Sequence, residues 1–155
     1  MRVSEVMTEA TVSDSPQDTL AEAAKKMWEQ QTGSLLVVDE GGEPVGIITE
    51  RDVLRAVATG VSAHDAIVAE VMTKDLTTVG PGTSLREAAK LMADNWIRHL
   101  PVVDAGKVIG IVSQRDLAGV LAGALNEPDT LAQLVEASQL TRERRLHRIE
   151  HWHWD

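Results

Sequence analysis

Apolar and polar positions follow the same order twice along the chain, at an interval of about 65 residues. An apolar stripe at helical spacing over 20–27 returns over 85–92. Each stripe follows a Ser/Thr-x-x-Glu sequence, which is typical of a capped helix start. The continuous apolar runs Leu35–Val38 and Leu100–Val103 come next, and each predicts a buried strand.

Turn residues follow each buried strand. The segments 39–44 and 104–107 are rich in Asp, Gly and Lys or Pro, so each strand is expected to form a hairpin with the apolar run after it. A second helix is predicted to begin at Thr49 and again at Ser113. With a short strand after the Met-Thr sequence that opens each copy, the order is strand–helix–strand–strand–helix. This predicts an α+β fold in which the two copies pack as a pseudo-two-fold pair.

The repeat divides the chain into three parts. Residues 1–60 form the first copy, residues 61–125 form the second, and residues 126–155 lie outside the repeat as a charged tail that is expected to be helical over 130–140. His147 and His151 are four residues apart in this tail, a spacing that can bind a metal, although a charged tail more often carries such a pair without function.

Composition excludes several kinds of protein. The 155 residues contain no Cys, so disulfides and thiolate chemistry are absent. The net charge of −9 argues against a broad nucleic-acid surface, although one bound nucleotide needs only a local cationic pocket. No secretory signal and no apolar run long enough to cross a membrane are present, so we expect a cytoplasmic protein without a membrane partner. No catalytic motif is recognisable, and we expect that the protein is not an enzyme.

One motif in each copy could bind a ligand. Thr49-Glu50-Arg51-Asp52 and Ser113-Gln114-Arg115-Asp116 place a hydroxyl and a carboxylate three residues apart where a strand becomes a helix. This spacing is itself a helix cap. The same geometry suits a nucleotide, because free backbone N–H groups and an arginine can bind phosphate while the carboxylate accepts ribose hydroxyls. The motif alone leaves both interpretations open.

The complete pattern resembles the CBS domain, the family named after cystathionine beta-synthase, present twice as a CBS pair or Bateman module. The resemblance runs from Val3 to Leu121 and rests on the motifs occurring in the same order twice. It implies a regulatory module that binds an adenosine-containing ligand, such as AMP, ADP, ATP or S-adenosylmethionine, in clefts between the copies. No cofactor is required. It also implies a homodimer and a possible regulated protein partner.

The resemblance also implies the ligand-binding residues. Asp52 and Asp116 match the ribose-binding aspartate of the family, and the residues after each Met-Thr sequence match the segment that meets adenine. Arg98 and His99 match a strand whose basic residues reach phosphate, where the first copy has Gly33 and Ser34. The complete set of candidate binding residues is Thr8, Thr11, Gly33, Ser34, Thr49, Arg51, Asp52, Thr73, Leu76, Thr78, Arg98, His99, Ser113, Arg115 and Asp116.

A site in this family usually draws on both copies. On that resemblance, Arg98 and His99 are expected to share a cleft with Thr49 and Asp52, and phosphorylated ligands to prefer that cleft. The competing hypothesis is a ligand-free scaffold that dimerises and acts through a protein partner.

Overall fold

The computed structural model describes residues 1–9 and 13–124. In each copy a helix, a two-stranded hairpin and a second helix follow one another in the predicted order. In chain order the elements are a 3-10 helix (Val3–Glu5), β1 (Thr8–Glu9), β2 (Ser13–Asp14), α1 (Leu20–Gln30), β3 (Ser34–Val38), β4 (Pro44–Thr49), α2 (Glu50–Ala58), α3 (Val68–Val71), α4 (Leu85–Asn95), β5 (His99–Asp104), β6 (Lys107–Ser113) and α5 (Gln114–Ala124).

The predicted capping boxes are present at the first helix of each copy. Thr19 Oγ1 accepts a hydrogen bond from the backbone N–H of Glu22 at 3.2 Å, and the Glu22 carboxylate accepts from the Thr19 N–H at 2.8 Å. Ser84 and Glu87 form the same reciprocal pair at α4. Four otherwise unsatisfied donors are thereby paired, which stabilises both helix starts.

The strands form two sheets of three strands each, in the orders β2-β3-β4 and β1-β6-β5. The predicted hairpins are confirmed: β3 pairs antiparallel with β4, and β5 with β6. Both hairpins show a register irregularity at the same point of the repeat, after Val37 and after Val102. The α+β fold and the pseudo-symmetry of the copies are therefore confirmed.

The opening segments of the two copies are exchanged between the sheets. β1, which opens the first copy, pairs with β6 of the second copy, while Thr73 of the second copy bridges Ile47 in β4. Val3 is fully buried in the core of the second copy, and Val68 is fully buried in the core of the first. Each core is therefore completed by residues from the other copy.

Glycine is required where the exchanged segments cross the sheets. A Cβ on Gly46 would lie 2.6 Å from Met72 Sδ and 2.9 Å from the Thr73 carbonyl oxygen. A Cβ on Gly110 would meet Met7 and Thr8 in the same way. The recurrence of Gly-Ile and Met-Thr in both copies thus has one physical cause, the close packing of one sequence against the other.

The first strand of the second copy is reduced to one residue. Val79 forms a single parallel bridge with Val102, where the first copy has the two-residue strand β2. Pro101 stands at the place of Leu36 in the neighbouring strand, and proline has no N–H with which to extend the ladder. The helical tail expected over 130–140 and the pair His147 and His151 lie outside the described residues.

A polar cluster distinguishes the first core from the second. The Asp14 side chain is 0% exposed, and its Oδ1 accepts from Lys26 Nζ at 2.6 Å. Lys26 also binds Asp18 at 2.8 Å. Asp14 Oδ2 is buried and has no hydrogen-bond partner among the described residues. The pseudo-symmetric positions in the second copy hold no such cluster, and are occupied by Val79, Thr83 and Leu91.

Candidate functional site

Within the part of the chain that the structure describes, two clefts lie between the copies. The larger has a volume of about 680 Å³ and contains the Ser113–Asp116 turn. The smaller, of about 190 Å³, contains the Thr49–Asp52 turn. Ligand pockets usually measure roughly 300–1,000 Å³. The larger cleft is therefore the one with room for a nucleoside-sized ligand.

The larger cleft joins the helix start of α5 to the opposite copy. Asp116 Oδ2 accepts from the backbone N–H and the hydroxyl of Ser113, both at 2.7 Å. The turn therefore forms the helix cap that its spacing predicts. Thr8 and Ser34 face it from the first copy. Ser34 is buried, and its hydroxyl has no hydrogen-bond partner among the described residues. A buried polar group without a partner is costly, and a bound molecule could satisfy it.

The smaller cleft is crossed by arginine contacts. Thr49 and Asp52 form the same cap, with Asp52 Oδ2 accepting from Thr49 N and Oγ1, each at 2.9 Å. Asp52 Oδ1 is also engaged, because Arg55 donates to it at 2.8 Å. Arg51 donates to the Trp96 carbonyl oxygen at 2.9 Å, across the boundary between the copies. These contacts occupy the groups that a ligand would need.

Asp52 and Asp116, which match the ribose-binding aspartate of the resembled family, consequently differ in their contacts. The position that holds Arg55 in the first copy holds Gly119 in the second, and no side chain in the described part of the chain donates to Asp116 Oδ1. Asp52 is buried, whereas Asp116 is half-exposed toward the larger cleft. Asp116 therefore keeps one carboxylate oxygen for an external hydroxyl.

Arg98 and His99 line both clefts. Arg98 Nη2 donates to Glu50 Oε1 at 2.7 Å, joining β5 to the start of α2. The His99 ring lies against Gly33, where an added Cβ would be 3.2 Å from the ring. Burial, with the neighbouring Arg98 charge, holds the pKa of His99 below its ordinary value of 6.5. The imidazole is accordingly neutral at pH 7.

Most of the predicted binding residues line one cleft or the other. Thr8, Gly33, Ser34, Ser113, Arg115 and Asp116 line the larger cleft, and Thr49, Arg51, Asp52, Thr73 and Leu76 line the smaller. Arg98 and His99 were predicted to share a cleft with Thr49 and Asp52. They line that smaller cleft and also the larger one. Thr78 is exposed and, within the described residues, lines neither cleft. Thr11 lies outside the described residues.

Sequence reasoning missed several residues of the clefts. Glu50 and Arg55 both lie in α2. The equivalent positions in the second copy hold the uncharged residues Gln114 and Gly119, and this difference in charge was the available signal. Trp28 lies at the rim of the larger cleft and is largely exposed, so it is not a core residue of the chain. Thr77, rather than Thr78, lines the smaller cleft. Among residues 1–9 and 13–124, no group of three or more potential metal ligands is close enough to hold an ion.

Comparison with known proteins agrees with this architecture. The CBS domain family matches residues 3–59 and 68–123. An uncharacterized protein of Methanopyrus kandleri is 42% identical over 120 residues, which are 76% of this chain and 61% of that protein. The chain thus spans less than two thirds of that relative.

Solved structures share the fold. A putative signal-transduction protein with CBS domains from Burkholderia ambifaria superposes with a TM-score of 0.73 at 35% identity, covering 78% of this chain and 93% of that one. The CBS domain pair of protein MJ0100, in complex with 5-methylthioadenosine and S-adenosyl-L-methionine, has a TM-score of 0.72 at 28% identity, over 80% and 98% of the two chains. The chain belongs to the CBS domain family and carries two CBS domains in tandem. No helix of the described region has the length and apolar character needed to cross a membrane.

Proposed function

We propose that the protein is a non-enzymatic regulatory module that binds an adenosine-containing ligand in the larger cleft. The observation that carries the proposal is the Asp116 carboxylate, which has one oxygen that no described side chain engages, in a cleft of about 680 Å³. Ribose hydroxyls would donate to that oxygen, and the unpartnered Ser34 hydroxyl would meet the ligand from the opposite wall. The binding of two adenosine compounds by the MJ0100 pair supports the same ligand class.

The arginine contacts in the smaller cleft support its assignment as the weaker site. A ligand entering there would have to displace Arg55 from Asp52 and Arg51 from the Trp96 carbonyl. Its volume of about 190 Å³ lies below the usual range. This reverses the preference expected from the sequence, where the cations near Thr49 and Asp52 favoured that side.

Ligand binding can be tested by thermal unfolding with AMP, ADP, ATP, S-adenosylmethionine and NAD. A ligand at 100 times its dissociation constant stabilises the folded state by about 2.7 kcal/mol, which raises Tm by roughly 5–10 °C. Asp116→Ala should weaken binding roughly 10- to 150-fold, through loss of a charge-assisted hydrogen bond. Asp52→Ala is the matched control and should leave affinity nearly unchanged. Equal losses in the two variants would contradict the assignment of the larger cleft.

A second candidate function, a ligand-free dimerisation scaffold, is favoured by an apolar surface on α2. Leu54 is 69% exposed and Val57, one helical turn further on, is 61% exposed, while Val61 beyond the helix is 39% exposed. A second copy of the chain would cover this surface and remove its apolar side chains from water. We propose a homodimer in either case. Light scattering at tens of micromolar should show a dimer that Leu54→Asp dissociates, and a monomeric parent protein would refute the dimer.

A further inference from the structure

The ion pair between Arg98 and Glu50 lies where the two clefts meet. The Arg98 guanidinium lines both clefts, and Glu50 lines the larger. The pair spans the two copies at 2.7 Å, with side chains that are 39% and 56% exposed. Both groups are thus accessible to a molecule in the larger cleft, and the Arg98 guanidinium is already paired with a carboxylate.

Pseudo-symmetry shows how this pair arises. Arg98 occupies the position that Gly33 occupies in the first copy, and Glu50 occupies the position of Gln114 in the second. The backbone contact is the same on both sides: Glu50 N–H donates to the Gly33 carbonyl, and Gln114 N–H donates to the Arg98 carbonyl. The side-chain pair therefore forms on one side only, because the other side has a neutral amide opposite a glycine.

The Glu50 carboxylate lies against Gly33. A Cβ on Gly33 would lie 3.3 Å from the Glu50 carboxyl carbon, so the absence of a side chain there makes room for this group. Glu50 is also the first residue of α2, where a negative charge is favoured by the helix dipole. A fixed anion beside the shared cation competes with any anion that enters.

We propose that Glu50 determines the charge specificity of the larger cleft, by competing with the anionic group of a bound ligand for Arg98. This inference rests on the proposed function, because it assigns a determinant within that site. An uncharged adenosine compound leaves the pair intact, whereas a phosphorylated one must displace Glu50. Discrimination between the two is set by the strength of a partly exposed ion pair, which is modest.

The test is calorimetric binding of AMP and adenosine to the parent protein, Glu50→Gln, Arg98→Gln and the double variant. Releasing a partly exposed pair should raise AMP affinity about two- to fivefold in Glu50→Gln and leave adenosine affinity unchanged. Arg98→Gln should lower AMP affinity relative to that of adenosine, while Arg115 stays in the same cleft. The Glu50→Gln gain should vanish when Arg98 is also replaced.

Glu40→Gln is the matched control, because Glu40 is exposed, lines neither cleft in the described part of the chain, and its replacement changes the net charge equally. Its effect on AMP affinity should be under twofold and should persist when Arg98 is replaced. An unchanged ratio of AMP to adenosine affinity in Glu50→Gln overturns the inference, as does a gain that survives replacement of Arg98.

Inorganic pyrophosphate, titrated into the same proteins, separates this inference from the proposed function. If neither adenosine nor AMP binds the parent protein, the proposed function fails. Pyrophosphate binding that strengthens in Glu50→Gln and is lost in Arg98→Gln still supports the competition. Pyrophosphate binding that is equal in all the variants, or absent from all of them, refutes it.

Discussion

The polar cluster Asp14, Asp18 and Lys26 can be tested by giving the first copy the residues of the second. The triple variant Asp14→Val, Asp18→Thr, Lys26→Leu installs the three side chains found at the pseudo-symmetric positions. Val79 is buried against Val102 there, as Asp14 is placed against Val37. The variant therefore introduces side chains that the same fold already accommodates at the equivalent positions of the second copy.

The expected effect follows from the environment of Asp14. Its carboxylate is fully buried with one oxygen unpartnered among the described residues, and such an oxygen costs about 1–3 kcal/mol. Lys26 is 38% exposed, so its ion pairs offset only about 1 kcal/mol. Buried ion pairs replaced by well-packed apolar residues are often neutral or stabilising. We expect the triple variant to gain about 1–3 kcal/mol at pH 7.5, or roughly 2–10 °C in Tm.

The gain should depend on pH. Burial raises the pKa of Asp14 from 3.8 to about 6, so the folded protein binds a proton that the unfolded chain releases between these values. Asp14 therefore contributes stability below pH 3.8 that is lost as the pH rises through about 6. Hydrogen bonding within the cluster lowers the pKa of Asp18 to about 2, outside this window. The advantage of the variant should accordingly grow from pH 4 to pH 7.

Urea unfolding at pH 4.5 and pH 7.5, followed by circular dichroism, measures both effects. Lys26→Leu alone is the control, because it leaves Asp14 buried without its cation and should destabilise by about 1–3 kcal/mol at pH 7.5. A triple variant less stable than the parent at pH 7.5 would show that the cluster is net stabilising and would refute this reasoning. So would a stability difference that is the same at both pH values.

Two further predictions concern the glycine crossing and His99. Gly46→Ala should destabilise the protein by about 1–3 kcal/mol in urea unfolding, because its Cβ would overlap Met72 and the Thr73 carbonyl. Gly82→Ala, with open space around it, should change stability by less than about 0.5 kcal/mol. Similar values for the two variants would contradict the close approach at Gly46. Burial lowers the pKa of His99, so its neutral form contributes stability above pH 6.5 that is lost on acidification; His99→Gln should flatten the fall in stability between pH 6.5 and pH 5, and an unaltered fall would exclude His99 as its source.

Local features of the fold followed from the sequence. The capping boxes at Thr19 and Ser84, and the two hairpins, depend on residues close together in the chain, so short patterns report them. The exchange of opening segments did not follow. The hydrophobic pattern carries no information on which copy buries Val3 or Val68.

The clefts were predictable to a similar extent. Each of the two hydroxyl–carboxylate turns lines a cleft, and the resemblance indicated which strands face them. A difference between the two clefts was expected, but the contacts that distinguish them were not, because they join residues across the copies, such as Arg51 with the Trp96 carbonyl and Arg98 with Glu50. Sequence spacing does not report contacts between residues 45 or 48 positions apart.

The exchange of opening segments has a consequence for how a chain of this kind could originate by gene duplication. A polypeptide with one copy would carry a sheet edge and a core that its own opening segment does not fill. A second identical polypeptide would supply the missing segment and receive one in return, since β1 and Thr73 occupy matching places on β6 and β4. The ancestral unit would then have been an interlocked dimer of single copies. Fusion of two genes would have joined partners that already depended on each other for folding.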